Sequence, residues 1–377
     1  MLSSILYKIR RTISLIVRYP KSVKEQSYYS ESERKSLFHV LKDQLFILWK
    51  YGDTEPFYYT YGFDRIDMTR EKMVKEYIIP YYRFQAKINY LNFNNPRYDF
   101  FHGKLTGRVI TGDKFYFNIF LERFGFPTPK VYCFIKDKKP LYFNAMFSID
   151  PSLSADHQLA HFLSHDMDAF AKPSDGQLGN GVFSLKVANG IIYKDGNAIN
   201  IDDLLRILLS ADYLIQERIV QHPKLSALCS TTLNSIRLQT VMDSEGNVIP
   251  FGAGLRMGRE GSFVDNWAKG GIFVGINPET GKLRSRGFLK PQYGTSTFCH
   301  LDSKITFEDY EIPFYHEAER LAVRLHQYLY RCHSVGWDIA ISENGPVFIE
   351  ANGLWEISLI QAANGGMKKI EKYFNVK

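Results

Sequence analysis

Apolar positions recur at helical spacing at the front of the chain and at strand spacing further on. Residues 1–24 set Ile5, Leu6, Ile9, Ile13, Leu15, Ile16 and Val17 among Lys8, Arg10, Arg11, Arg18, Lys21 and Lys24, with no acid before Glu25. That pattern predicts a basic amphipathic helix. Ser30-Glu31-Ser32-Glu33 predicts the opening of a second helix through Leu37, Val40, Leu41 and Leu45. Helical and aromatic stretches then alternate without a motif as far as residue 110. Thr111-Gly112-Asp113-Lys114 starts a helix through Phe115, Phe117, Ile119, Phe120 and Leu121, which Gly125, Pro127 and Pro129 end. Beyond it the pattern gives a strand at Val131 to Ile135, a helix from Ser154 to Ser164, and a strand, glycine-rich loop and strand between Phe170 and Val187. An apolar strand at Tyr213 stops before Pro223, and a helix over 316–332 aligns Leu321, Leu325, Leu329 and Cys332 as a core stripe.

The most informative pattern comes near the end. Two apolar runs, from Gly336 to Ser342 and from Pro346 to Asn352, flank Asn344-Gly345 and predict a hairpin. A two-residue Asn344-Gly345 turn would leave Asp338 and Glu350 on opposite faces. A three-residue loop, Glu343-Asn344-Gly345 with Gly345 left-handed, pairs the two acids directly and brings Asn352 to their face, within roughly 5 Å across strands. Carboxylates that close repel unless a cation lies between them, and hard oxygen donors suit Mg²⁺.

Composition narrows the class. The 377 residues, 45% hydrophobic and 23% charged, suit a globular protein of two or three units. The 15% aromatic content fits stacked or carbohydrate ligands, or simply core. A net charge of +7 is mild for this length; it permits polyanionic small molecules or a membrane surface and argues against nucleic acid as a partner. Cys133, Cys229, Cys299 and Cys332 show no metal spacing, which with no mark of secretion predicts a reduced, cytoplasmic protein. Charge interrupts the front helix too often for a bilayer span. Two readings of it stay open: it lies on the anionic inner leaflet of the membrane, or it docks its apolar face on the body of the protein.

Candidate phosphate-binding groups appear twice. Lys114 adds its charge to a helix N-terminus, where phosphate is favoured. Lys172 stands on the strand before Gly176, Gly179 and Gly181, whose missing side chains let backbone amides approach a phosphate chain. The loop fits neither a Walker A nor a G-x-G-x-x-G pattern. His157, His161 and His165 share one helix face, a stripe that reads as packed or solvated before it reads as metal-binding.

In order, the Asp113-Lys114 helix start, Lys172-Pro173 with its glycine-rich loop, the apolar strand bearing Gln216-Glu217, and the late Asp338, Glu350 and Asn352 resemble the ATP-grasp superfamily. Leu233-Asn234-Ser235-Ile236-Arg237, Arg256-Met257-Gly258, Asp265-Asn266 with Gly270-Gly271, Gly336-Trp337-Asp338 and Glu350-Ala351-Asn352 resemble, more narrowly, its sugar-transfer-associated family, linked to capsule and other cell-surface polysaccharide biosynthesis. The resemblance covers roughly residues 105–365. It implies an α+β ATP-grasp fold with ATP between a small lid and a larger C-terminal domain. The units it implies are an N-terminal extension at 1–110, a lid-bearing unit at 111–221 with the lid itself near 128–215, and a C-terminal unit at 222–377.

The same resemblance implies roles. Lys114 and Lys172 would hold the ATP phosphates under the loop of Gly176, Gly179 and Gly181. Glu217 would meet the adenine amino group with Gln216 beside it, the backbone of Val220 would meet the ring, and Asp338, Glu350 and Asn352 would ligate Mg²⁺. One position departs. D-alanyl-D-alanine ligases, also ATP-grasp enzymes, carry an arginine two residues before the first metal acid; here Gly336 stands there, which leaves Arg237 or Arg256 to stabilise the transferred phosphoryl group. The implied activity is that of an ATP-dependent carboxylate-amine ligase working through an acyl phosphate, joining an amino acid or other amine to a sugar carboxylate, free or on a sugar nucleotide or glycan. Its acceptor is expected around Arg237, Arg256, Asp265 and Asn266, because a guanidinium presents a forked donor to a carboxylate. A kinase of a hydroxyl group and a catalytically silent, membrane-associated assembly factor stay open beside it.

Overall fold

Two antiparallel sheets follow a helical N-terminal region in the computed structural model, which describes all residues except 1, 23–26, 94–107, 175–180, 262–264, 266, 291–292, 295, 330–331 and 376–377. The N-terminal region holds α1 (Leu2–Ser22), α2 (Leu37–Tyr51), α3 (Arg70–Glu76) and α4 (Tyr81–Phe93); α5 (Arg108–Gly112) and α6 (Lys114–Arg123) follow. α2 opens at Leu37 behind Ser36, later than the sequence suggested. The physical reason is that residues 30–33 close a turn on themselves, Ser30 Oγ donating to Glu33 Oε2 at 2.6 Å. The aromatic richness of this region is core: Tyr58, Tyr61 and Tyr77 pack around Phe63, with Ile47 and Met73 beside them.

The first sheet comprises β1 (Val131–Lys136), β2 (Lys139–Phe143), β3 (Met167–Pro173), β4 (Phe183–Ala188), β5 (Ile191–Lys194), β6 (Asn197–Ala198) and β7 (Tyr213–Glu217), in the order β2-β1-β7-β3-β4-β5-β6. Asn189-Gly190 and Asp195-Gly196 hold both turn residues at positive φ, the backbone that matches strand twist in a tight hairpin. α7 (Ala155–Phe162) and α8 (Ile201–Leu208) bury Leu159, Phe162, Leu204 and Leu208 against one face. On the other face Val131, Phe134 and Leu214 meet Phe115 of α6, whose ring stacks on Phe134 with centroids 4.3 Å apart.

After α9 (Pro223–Leu228), the second sheet is built from β8 (Ser235–Met242), β9 (Val248–Met257), β10 (Ile272–Ile276), β11 (Leu283–Phe288), β12 (Ser334–Ser342) and β13 (Gly345–Asn352), in the order β11-β10-β9-β8-β12-β13. α10 (Tyr315–Tyr328) covers one face, packing Ala318, Ala322 and Leu325 into a core with Leu238, Leu255 and Ile339. α4 and α11 (Ile357–Asn364) cover part of the other with Ile88, Trp355 and Ile360. α6 is shared: Phe115 faces the first sheet, while Phe117 and Leu121 enter the core of the second. A boundary at residue 111 therefore falls within packing common to both bodies, and the lid sheet itself runs from Val131 to Glu217.

Candidate active site

Strand pairing assembles the floor of the site on the face of the second sheet opposite α10. Glu350 pairs with Asp338, Asp338 with Arg237 and Arg237 with Gly254, so acid, acid and base stand in one row across neighbouring strands. Asn352, Gly336 and Gln239 form the next row on that face. The Asp338–Glu350 pair is the one the sequence suggested, but the loop that was to produce it is not. Ser342 pairs with Gly345, leaving a two-residue Glu343-Asn344 turn, and a bulge at Ile349 supplies the extra residue. Such a bulge bends the strand and re-aims the side chains after it, here Glu350 and Asn352.

Asp338, its side chain only 4% exposed, lies between two guanidinium groups. Arg237 sets Nε 2.6 Å from Oδ1 and donates from Nη2 to Oδ2 at 3.1 Å, and Arg256 Nη2 stands 2.8 Å from Oδ2. Arg256 also donates to Ser235 Oγ from Nε and Nη2 at 3.2 and 3.0 Å. Ser235 in turn donates to Asp265, whose carboxylate lies 3.6 Å from Arg256 Nε. Desolvation lowers the Arg237 pKa in spite of Asp338. Desolvation also opposes the charge of Arg256, but Asp265 and Asp338 outweigh it and raise that pKa. Burial raises the Asp265 pKa against the pull of Arg256 and the Ser235 hydroxyl. Gly336 also finds its reason here. A Cβ at that position would come within 2.7 Å of Trp355 Cβ and 3.4 Å of Arg237 Nη1, so a guanidinium from the adjacent strand borders the space a side chain would take.

Asp338, Glu350 and Asn352 fit a hard divalent cation. Oδ1 of Asp338 is buried without an aligned hydrogen bond, but Arg237 Nε stands 2.6 Å from it, so a cation bound there would take the place of that guanidinium. Asn352 donates Nδ2 to Asp338 Oδ2 at 3.3 Å, and a half-turn of that amide presents its oxygen instead. Two carboxylates and an amide oxygen are donors that Mg²⁺ accepts, with water and phosphate oxygens completing its shell. Among the described residues no three His, Cys, Asp or Glu side chains gather as a metal set. The histidine stripe is bound locally: His157 shares a hydrogen bond with Ser154 Oγ, and His165 Nδ1 lies against the carbonyls of His161 and Phe162.

The lid side contributes cations and a free donor. Asp113 caps α6 by accepting from the backbone N–H groups of Phe115 and Tyr116, which sets Lys114 at the first helical position. Lys114 Nζ reaches the Ser174 carbonyl at 3.5 Å, and a crevice lined by Asp113, Lys114, Phe117 and Glu350 separates this helix start from β13. On β3, Lys172 is within electrostatic reach of both Glu350 and Lys114; desolvation pulls its pKa down to about 8 against the attraction of Glu350. Strand alternation puts Lys172, Leu214 and Gln216 on the α6 side of the lid. Gln216 is buried there with Nε2 unpartnered.

Glu217 faces the other way, its Oε2 accepting from Lys130 N at 3.3 Å and its charge acting on Tyr132. Val220 lies past the strand end and is 73% exposed. Gly181 adopts φ +73, and a Cβ on it would lie 2.9 Å from Pro173 Cγ. Gly176, Gly179 and Asn266 lie outside the described residues. Trp355 and Gln361, after β13, serve the fold: Trp355 Nε1 donates to Ser334 Oγ at 3.0 Å and Gln361 Oε1 accepts from Ile78 N at 2.9 Å. Ser235 was missed as the bridge between Arg256 and Asp265, although its place two residues before Arg237 puts both on one strand face.

A family described as sugar-transfer-associated ATP-grasp matches residues 87–372. No curated protein matches the chain. Similar solved structures include D-alanyl-alanine synthetase A from Vibrio cholerae O1 biovar eltor, at 11% identity over 71% of this chain and 66% of that one, with a TM-score of 0.40. Biotin carboxylase from Campylobacter jejuni matches at 14% identity over 71% and 47%, with a TM-score of 0.39. L-amino acid ligase from Bacillus licheniformis matches at 12% identity over 82% and 57%, with a TM-score of 0.38. The chain spans about half the length of most such structures, 46% of an N5-carboxyaminoimidazole ribonucleotide synthetase among them. Likeness of this size carries no argument about activity or substrate.

Proposed function

The chain belongs to the sugar-transfer-associated ATP-grasp family, and from that premise we propose that it is an ATP-dependent carboxylate-amine ligase of cell-surface polysaccharide biosynthesis, joining an amino acid or other amine to a sugar carboxylate. The observation that carries the reading is the meeting of Lys172 and Lys114 with Glu350, next to the buried Asp338, Arg237 and Arg256. Cations gathered opposite acids suit a triphosphate that arrives with a divalent metal.

In this reading the adenine lies against Gln216, the residue of the Gln-Glu pair that faces the cleft, with Glu217 and Val220 at the strand end beyond it. Lys114, Lys172 and the loop of Gly176, Gly179 and Gly181 hold the phosphates. Asp338, Glu350 and Asn352 would hold Mg²⁺, which when bound neutralises charge on the transferring phosphate. A carboxylate oxygen of the acceptor attacks the γ-phosphorus, the bond to the β-phosphate oxygen breaks, and ADP leaves. The amine nitrogen then attacks the acyl carbon, phosphate departs, and loss of a proton from nitrogen leaves the amide. Arg237, in the row of both acids and bordering the space above Gly336, stabilises the transferred phosphoryl group. Arg256, held by Ser235 and Asp265, orients the acceptor carboxylate together with Asn266. Loop closure excludes water that would hydrolyse the acyl phosphate.

The test is release of ADP and inorganic phosphate from Mg-ATP with uronic acids or their sugar nucleotides, each with and without an amino acid. Release that needs both partners and is lost in Glu350→Gln supports the ligase. ADP without inorganic phosphate and without any amine would replace it with a kinase of a hydroxyl group. ATP binding without turnover for any acceptor class would favour a silent assembly role.

A further inference from the structure

Helix α1 is mounted the wrong way round for a helix that serves only the fold. At about 100° per residue, Ile5, Leu6, Ile9, Ile13, Ile16 and Val17 fall within a single arc of about 120°. An amphipathic helix ordinarily buries such a stripe, yet here these side chains are 42–71% exposed. The helix docks on α2 through a different edge: Leu15 is buried, Tyr7 Oη donates to Asp53 Oδ1 at 3.2 Å, and Lys8 Nζ donates to the Trp49 carbonyl at 2.9 Å. The docking edge is thus largely polar and the apolar face is turned outward. Of the two readings the sequence left for this helix, burial of the apolar face on the body does not occur among the described residues.

We propose that α1 is a docking surface for an anionic phospholipid bilayer, lying in the plane of the interface with its aliphatic arc among the acyl chains. Charge complementarity selects this occupant over another protein face. The helix contains Lys8, Arg10 and Arg11 with no acidic residue, and no acid occurs before Glu25. Arg10 borders the arc and is exposed, placed to meet lipid phosphate while the aliphatic side chains sink roughly 5–10 Å; Arg11, also exposed, stands on the opposite side of the helix and adds only to its overall positive charge. Trp49, 49% exposed beside the Lys8 ammonium, adds an amphipathic ring of the kind that settles at headgroup level. No helix among the described residues is long and apolar enough to cross a membrane, so the contact is peripheral. The proposal goes beyond the ligase reading and does not rest on it.

Flotation of the full-length protein with vesicles tests it, using phosphatidylcholine alone and phosphatidylcholine mixed with phosphatidylglycerol. We expect binding to the anionic vesicles that weakens with added salt and little binding to the neutral ones. The double variant Ile9→Glu with Ile13→Glu should bind at least tenfold more weakly. Arg10→Glu should lose about fivefold or more, and Arg11→Glu, on the far side of the helix, less. All four positions are solvent-facing and remote from the cleft residues, so unchanged melting temperature and ATP binding confirm that the fold survives. Absence of vesicle binding overturns the proposal, as does binding that the aliphatic variant leaves unchanged. Light scattering provides the remaining arm: a stable dimer that Ile13→Glu dissociates, without vesicle binding, would mean that a second copy covers this face.

Discussion

On the floor of the cleft, Arg237, Arg256, Asp338 and Asp265 neutralise one another through contacts of 2.6 to 3.6 Å, whereas on the lid side Lys172 is desolvated and Gln216 keeps a buried amide nitrogen without a partner. A self-paired buried network holds its geometry without ligand, and a ligand that uses one of its members must break a contact to do so. An unpaired buried donor costs stability in the empty protein and recovers it when an acceptor arrives. The floor is held by charge pairing in the empty protein even where Arg237 Nε and Asp338 Oδ1 lack aligned hydrogen bonds, whereas the Gln216 amide has no partner of either kind at Nε2. On the ligase reading, a metal held at Asp338 would compete with Arg237 and Arg256 for the same carboxylate, and the arginine it displaced would be available to the reacting groups.

The largest break in this comparison comes from removing the centre of the floor. Asp338→Asn leaves Arg237 and Arg256 buried without their shared counter-charge, and unfolding free energy should fall by about 3–5 kcal/mol. Equilibrium urea unfolding measures it. A loss below about 1 kcal/mol would mean that the arginines swing to solvent and that the floor is not a fixed network.

Lys172→Met probes the opposite wall and should separate binding from stability. The substitution removes a charge held against desolvation, so the melting temperature should stay level or rise. ATP affinity should fall by about 1.5–3 kcal/mol, roughly 10- to 100-fold, as expected for a hydrogen bond to a charged phosphate. Calorimetric titration beside a thermal melt reads both. A destabilised Lys172→Met with unchanged affinity would assign the lysine to the fold.

The depressed pKa of Lys172 also sets a pH window. With a folded value of about 8 against an ordinary 10.5, the unfolded chain holds the proton between these values and the folded one does not. The contribution of Lys172 to folding stability therefore rises as pH climbs from 8 to 10.5 and is lost as pH falls back through 8. ATP affinity runs the other way, since phosphate favours the ammonium form. It should weaken by up to about tenfold per pH unit above 8, and Lys172→Met should flatten that slope. A slope that survives in the variant belongs to another group.

What the sequence made readable follows the range of each interaction. The Asp113 cap and Lys114, the strand carrying Lys172, and the facing of Asp338 and Glu350 all follow from local rules of capping, alternation and hairpin pairing. Even so, the hairpin reached its register through a bulge at Ile349 and not through a longer loop, because both routes add one residue between the acids and only packing chooses between them. Contacts between distant segments carried no local signature. Arg237 meets Asp338 across 101 residues of sequence, and α6 is divided between two cores by side chains no more than six residues apart. The orientation of α1 was equally hidden, since periodicity reports that an apolar face exists and not which edge the body offers it.

The smallest effect is the most discriminating for the lid. Gln216→Leu replaces an amide that has no partner for its nitrogen with an apolar side chain of similar size, so it removes no hydrogen bond from the empty protein at Nε2. Stability should be unchanged or slightly higher, because a buried donor without a partner is no longer desolvated. If Gln216 reads the adenine edge, ATP affinity should drop by about 0.5–1.5 kcal/mol, two- to tenfold, while inorganic triphosphate, which has no base, should bind as before. Competition between ATP and triphosphate on wild type and variant measures the difference directly. Equal losses for both ligands would place Gln216 in the support of Lys172 and leave the adenine to Glu217 and the strand end at Val220.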